Sequence, residues 1–174
     1  IHNLYVTHAH TDHILGVIWI VRMVMQKALA GKYCGVLNVY GHEKVVRVIT
    51  EICRMTLHKK YFALIGKAIV MHVLDDGDEF CVGGMRLKCF DILSDKEKQY
   101  GFALRFSDGE RLVCMGDEPC NEATLGYARG ADWLMCEAFC LYADRDVFKP
   151  YEKYHSTALD AGRVAADTGV KNLI

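Results

Sequence analysis

A short run of ionisable side chains, His8-Ala9-His10-Thr11-Asp12-His13, constrains this chain more than any other feature. It lies between residues 4–7, which predict a strand, and residues 14–30, whose apolar spacing predicts a helix that ends at Gly31. In a chain with 8 His among 174 residues, chance produces the pattern H-x-H-x-D-H on the order of once in a thousand chains. The pattern therefore requires a chemical explanation.

Metal binding provides that explanation. Alternate side chains of an extended segment point the same way, roughly 6 to 7 Å apart, so His8 and His10 can bind one ion. Asp12 and His13 follow at the start of the helix and can bind a second. Imidazole and carboxylate suit zinc, manganese or iron, and two adjacent ions activate a water and polarise a phosphoryl or acyl oxygen. The alternative is a helix N-cap at Asp12 with histidines that bind nothing.

The rest of the chain predicts an α/β fold in which helices cover two sheets. From residue 68 to residue 115 the pattern changes to short strands, and Asp76-Gly77, Gly83-Gly84 and Asp108-Gly109 supply turns, so a β meander is expected there. Strands are predicted at residues 36–40, 69–73, 79–82, 85–92, 101–106, 111–115, 133–136 and from 170. Helices are predicted at residues 43–57, 121–127 and 157–168, with a loop between 136 and 154.

Length and composition predict a single globular domain over residues 1–174. A hydrophobic content of 52% favours a packed core, while a net charge of −1 with 21 scattered basic residues neither favours nor excludes RNA. The longest apolar run, residues 14–25, contains Arg22 and is shorter than the roughly 20 residues that cross a bilayer, so no membrane partner is expected. Both ends of the chain read as the middle of strands, so a fragment of a longer chain is expected.

The 8 cysteines form no C-x-x-C pair, and most of them stand in apolar runs. A domain of this length does not need disulfides for stability, so buried free thiols in a reducing cytosol are expected rather than a disulfide framework. The expected location is therefore cytoplasmic.

The run Thr7-His8-Ala9-His10-Thr11-Asp12-His13 followed by an apolar helix resembles the signature of the metallo-β-lactamase fold. This resemblance implies an αββα sandwich that carries two metals at the edge of its sheets. Downstream, Cys114-Met115-Gly116-Asp117 resembles the strand that ends in the family's bridging aspartate, which would make Asp117 a ligand of both ions. The alternative is that Gly116-Asp117 forms only a turn.

Within that superfamily, three C-terminal segments are similar to ribonuclease Z, the endonuclease that trims tRNA 3′ ends. They are residues 134–138, 154–158 and 170–174. The resemblance implies that Glu137 orients His155 and that His155 protonates the leaving oxygen, as general acid catalysis requires. Each residue also has a non-catalytic interpretation. Glu137 would be a carboxylate at the rim of the site, and His155 would only neighbour a helix cap formed by Ser156 or Thr157.

The chain departs from the ribonuclease Z pattern in three places. Residues 54–70 lack the Gly/Pro-rich, basic character of the arm that holds tRNA. The strands that precede the first motif and the final metal-binding histidine, expected after residue 174, are missing. Leu93 stands where the family has a metal-binding histidine, which is expected to weaken one site, and Asp95 is left open as a replacement ligand.

The sequence thus predicts a metal-dependent hydrolase, most specifically a ribonuclease Z-like phosphodiesterase that uses a metal-activated water. Two divalent ions are expected, either zinc or else manganese or iron. Asp12, Glu137 and His155 are the predicted catalytic residues, and Asp12 is also a predicted ligand. A phosphodiester or RNA substrate and a homodimer are left open. The alternatives are a binding module with a degenerate metal site and a hydrolase of an ester or thioester outside nucleic acids. The expected ligands are His8, His10, Asp12 and His13 from the motif, and the resemblance adds Asp117.

Overall fold

The computed structural model describes all 174 residues and divides into two compact units, Ile1–Asp75 and Asp76–Ile174. The first unit contains a three-stranded parallel sheet in the order β1-β2-β3. Its strands are β1 (Asn3–Tyr5), β2 (Leu37–Gly41) and β3 (Ile69–Val73), and its helices are α1 (Thr11–Leu29), α2 (Glu43–Thr56) and α3 (Lys59–Phe62).

Helix α1 forms because its apolar side chains recur at helical spacing. The helix buries one face, and the opposite face leaves Leu15, Trp19 and Met23 exposed. The buried residues are Ile14, Val17, Val21, Val24 and Met25. They belong to one core with Leu37 and Val39 of β2, so the end of β1 and the start of α1 are held against the same sheet.

The second unit contains a six-stranded mixed sheet in the order β4-β5-β6-β7-β8-β9. The first four strands are antiparallel neighbours, and β7, β8 and β9 are parallel. The strands are β4 (Glu79–Val82), β5 (Met85–Asp91), β6 (Tyr100–Arg105), β7 (Arg111–Cys114), β8 (Trp133–Met135) and β9 (Asn172–Leu173). The helices are α4 (Glu122–Ala128), α5 (Arg145–Phe148) and α6 (Ala158–Thr168).

The core of this unit packs tightly enough to require a glycine. Phe90 of β5 stacks on Tyr127 of α4 with ring centroids 3.9 Å apart. A Cβ at Gly101 would lie 2.6 Å from the Phe90 ring and 2.6 Å from the carbonyl oxygen of Cys114. Only glycine fits at that position of β6 without displacing the neighbouring strand.

Three sequence predictions require correction. β3 does not belong to the meander but pairs in parallel with β2, because the segment containing α2 and α3 forms a crossover between the two strands. The loop predicted up to residue 154 contains α5 and two 3₁₀ turns. Only Cys53 and Cys89 of the eight free thiols are fully buried, and Cys34 and Cys81 are exposed.

No helix in the structure is both long enough and apolar enough to span a membrane. The structure divides into two compact units, and the assignment of residues 1–174 to a single domain stays a prediction.

Candidate active site

His8 and His10 lie together at the junction between β1 and α1. His8 is fully buried, and its Nε2 lies 3.0 Å from Nδ1 of His10. The two rings meet edge to face with centroids 4.6 Å apart. This junction is extended up to His10, the N-cap residue of α1, so the side chains of residues 8 and 10 leave the chain on the same side.

Thr7 fixes the orientation of the His8 ring. Its Oγ1 lies 2.9 Å from Nδ1 of His8. When Nδ1 carries the proton and donates it to this hydroxyl, the lone pair of Nε2 faces His10. In that tautomer, Thr7 holds the His8 ring with the metal-binding lone pair on Nε2.

Asp12 and His13 form a second pair in the first turn of α1. Oδ2 of Asp12 lies 3.5 Å from Nε2 of His13. The His13 ring also approaches the His8 ring, with centroids 4.2 Å apart, and ligand nitrogens of these two residues lie within 4.8 Å of each other. The motif therefore brings all four predicted side chains into one cluster.

The donor set of this cluster fits divalent metal ions. Two nitrogen ligands about 2.0 to 2.1 Å from a tetrahedral zinc lie about 3.4 Å apart. His8 Nε2 and His10 Nδ1 are 3.0 Å apart, so a small movement of the rings would bring them to that distance. Neutral imidazoles and a carboxylate are ligands of zinc, iron and manganese.

Asp117 follows β7 in a tight turn whose backbone is held by buried polar groups. Gly116 has a φ of +87°, and a Cβ there would lie 3.2 Å from Ile92, so the turn requires glycine. The backbone N–H of Asp117 donates to Oε1 of Gln99 at 3.1 Å. Nε2 of Gln99 in turn donates to Glu118 at 3.2 Å.

Sequence reasoning missed Gln99 and Glu118. Both side chains are buried, and Glu118 also accepts from Oγ of Ser94 at 2.6 Å. Together they tie the loop after β5 to the turn at Asp117. The only sequence signal was a polar residue immediately before the apolar β6 strand and a carboxylate immediately after Asp117, and neither has a recognisable spacing.

Leu93 occupies a strained position in the loop after β5. It has a φ of +58°, which is uncommon for a residue other than glycine, and its side chain is 63% exposed. Its N–H donates to Oδ1 of Asp91 at 2.8 Å. Asp95, two residues further on, is exposed, and its role as a replacement ligand stays a prediction.

Glu137 and His155 contact each other, although 18 positions separate them in the chain. Oε2 of Glu137 lies 3.3 Å from Nδ1 of His155, and Oε1 accepts from the backbone N–H of Ser156 at 2.5 Å. His155 also stacks on Phe139, with centroids 5.0 Å apart. The alternative for His155 was that it only neighbours a helix cap formed by Ser156 or Thr157. The cap of α6 is Thr157, which forms a capping box with Asp160.

The fold and the clustered histidines define a metallo-β-lactamase-type protein. The family model described as "Beta-lactamase superfamily domain" matches residues 1–174, and the chain belongs to this family. The metallo-β-lactamase fold and the ribonuclease Z resemblance predicted from the sequence are both confirmed.

Curated relatives are ribonuclease Z proteins. The chain is 26% identical over 219 residues to ribonuclease Z of Bacillus mycoides (strain KBAB4), covering all of this chain and 69% of the relative. It is 40% identical over 65 residues to ribonuclease Z of Brevibacillus brevis, covering 37% of this chain and 20% of the relative. The family and these relatives support a hydrolase of the ribonuclease Z type.

Solved structures show the same fold. Human tRNase Z, short form, has a TM-score of 0.74 at 19% identity, covering 99% of this chain and 70% of that one. The metallo-β-lactamase fold protein YhfI from Bacillus subtilis has the same TM-score and identity. There the match covers 99% of this chain and 63% of that one, so the chain spans less than two thirds of YhfI.

Proposed function

We propose that this chain is a metal-dependent phosphodiesterase of the ribonuclease Z type. The observation that carries the proposal is the pairing of side chains within residues 8–13, where His8 lies against His10 and Asp12 lies against His13. These are the two pairs that the sequence assigned to two separate ions. No purely structural role requires three imidazoles and a carboxylate to converge at one strand end.

His8 and His10 would hold one divalent ion, and Asp12 and His13 a second. Asp117 remains a ligand predicted from the resemblance, and zinc is the proposed metal, with manganese and iron as alternatives. When bound, the ions would supply Lewis acidity and an activated water. The contribution of the chain is to fix the ligands, and Thr7 does so for His8 by binding its Nδ1.

Glu137 and His155 would handle the proton of the leaving oxygen. The carboxylate of Glu137 contacts Nδ1 of His155, so Nε2 is the ring nitrogen that can deliver a proton. The backbone N–H of Ser156 holds the other carboxylate oxygen, which prevents Glu137 from rotating away. Glu137 is thus a positioning residue, and His155 the general acid.

An RNA phosphodiester is the proposed substrate class, because curated relatives of the chain are named ribonuclease Z. A homodimer and a cytoplasmic location stay predictions from the sequence.

The test is hydrolysis of bis(p-nitrophenyl) phosphate and of a tRNA precursor with a 3′ trailer, in the presence of Zn²⁺ or Mn²⁺. We expect turnover that falls at least about 10³-fold in Asp12→Ala, since Asp12 would be a ligand. Asp146→Ala is the matched control, because the Asp146 side chain is 79% exposed and that of Asp12 is 80% exposed. Equal rates in the two variants would contradict the proposal.

Leu93 favours a second candidate function, a binding module with a degenerate metal site. An exposed leucine with a positive φ stands where the resemblance expects an imidazole. Absence of turnover on phosphodiester, ester and thioester substrates, together with retained metal binding, would favour this module over the enzyme.

A further inference from the structure

Two cysteines of the second unit lie next to each other and have no part in the proposed catalysis. The Sγ atoms of Cys120 and Cys136 are 3.6 Å apart, and both residues are half-buried. Cys120 directly precedes Asn121, the N-cap residue of α4, and Cys136 directly follows β8. The contact therefore joins the beginning of a helix to the end of a strand.

The two thiols differ in character. A hydrogen bond from the Cys136 thiol lowers the pKa of Cys120, although burial and the nearby Glu137 carboxylate oppose that effect. The same hydrogen bond, together with burial, raises the pKa of Cys136. A thiolate is the reactive form of cysteine, so Cys120 is the attacking residue of the pair and Cys136 the one that reacts second.

We propose that Cys120 and Cys136 are a reversible disulfide site that reacts with low-molecular-weight disulfides such as oxidised glutathione. The Cys120 thiolate attacks one sulfur of the disulfide, whose S–S bond breaks and releases one glutathione thiolate. The Cys136 sulfur then attacks Cys120 of the mixed disulfide and releases the second glutathione. The two cysteines lose two electrons, oxidised glutathione gains them, and the two thiol protons end on the two glutathione molecules.

The geometry of the pair permits this reaction with little movement. Formation of the bond requires the sulfurs to close from 3.6 Å to about 2.05 Å. Both residues stand outside regular structure, at a helix start and a strand end, where side chains can rotate without breaking the ladder of β8 or the hydrogen bonds of α4.

The disulfide would also act on the proposed proton-transfer pair, and this consequence rests on the proposed function. Cys136 directly precedes Glu137, whose carboxylate and carbonyl oxygens both bind Ser156, at 2.5 and 3.0 Å. Any part of the closure that side-chain rotation does not supply must move the backbone of Cys136, and that shift would carry the adjacent Glu137 with it and change its contacts with Ser156. The contact of Glu137 with His155 then loosens, so the oxidised form is the less active one.

Peptide mapping without reductant tests the site itself. After treatment with oxidised glutathione, we expect a peptide that links Cys120 to Cys136 in the parent and in the control Cys140→Ser, whose half-buried thiol is outside the pair. In Cys136→Ser the link should be replaced by glutathione on Cys120. Glutathione on the exposed Cys34 and Cys81 alone, with no linked peptide, would overturn the proposal.

Activity tests the consequence separately. We expect oxidation to lower kcat by about tenfold to a hundredfold, as a displacement of about 1 Å does at a catalytic group, and dithiothreitol to restore it. Cys120→Ser should keep its activity in the oxidant. A linked peptide with unchanged kcat would overturn the regulatory effect. Because the mapping does not depend on turnover, failure of the hydrolase assignment and failure of the disulfide site remain distinguishable.

Discussion

The cluster at residues 8–13 and the Glu137–His155 pair are built in different ways. The first takes four ionisable side chains from six consecutive residues, and their approach follows from an extended segment that enters a helix. The second joins residues 18 positions apart and depends on contacts between the end of β8 and the segment before α6. Local geometry thus positions the four proposed ligands at residues 8–13, whereas tertiary packing positions the proposed acid.

The largest effect that can break this comparison is expected for His155→Ala. If His155 is the general acid, kcat should fall by roughly 10² to 10⁴ while metal content stays unchanged. The matched control is His72→Ala, which removes a half-buried imidazole bound to Asn38 at 2.9 Å and should keep kcat. Loss of metal in His155→Ala would show that His155 is a ligand rather than the acid.

A smaller effect concerns the cores of the two units at alkaline pH. Burial raises the pKa of Cys53 to about 11, and burial with the nearby Asp78 carboxylate raises that of Cys89 to about 11. Between pH 9 and 11 the unfolded chain releases these protons and the folded chain keeps them, so stability should fall as pH rises. The loss is up to about 2 to 3 kcal/mol for each thiol.

Urea denaturation at pH 8 and at pH 10.5 measures this loss of stability. Cys53→Ala and Cys89→Ala should each reduce the fall in the free energy of unfolding between these two pH values. Cys34→Ala, at an exposed thiol, is the control and should leave the pH dependence of the free energy of unfolding unchanged. If the free energy of unfolding falls equally with pH in all three variants, burial does not raise these pKa values.

The smallest effects are expected in the loop after β5. Leu93→Gly should stabilise the protein by about 1 kcal/mol, because glycine adopts a positive φ without steric cost. Leu93→His should raise metal affinity at the weaker site, and Asp95→Ala should do little. If Asp95→Ala removes a metal and Leu93→His adds none, Asp95 has replaced the missing histidine and the alignment of this loop is wrong.

The sequence predicted most strands and helices within two residues, because apolar periodicity and Gly-containing turns are local signals. The prediction placed β3 in the wrong sheet. Its apolar pattern suits pairing with β2 or with the following strands equally well, and only the crossover through α2 decides that it pairs with β2. The motif and the resemblance predicted His8 and Glu137 as site residues, and their roles stay predictions. Gln99 and Glu118 could not be predicted, because their hydrogen bonds connect segments that meet only after folding.

The account rests on metal held by residues 8–13, and elemental analysis of the purified protein tests that claim most directly. We expect about two equivalents of zinc, manganese or iron in the parent and in His72→Ala, with one site weaker because of Leu93. In His8→Ala the metal content should fall by at least one equivalent, since this variant removes the fully buried imidazole that Thr7 orients. Less than one equivalent in the parent, or the same content in His8→Ala, would contradict the account.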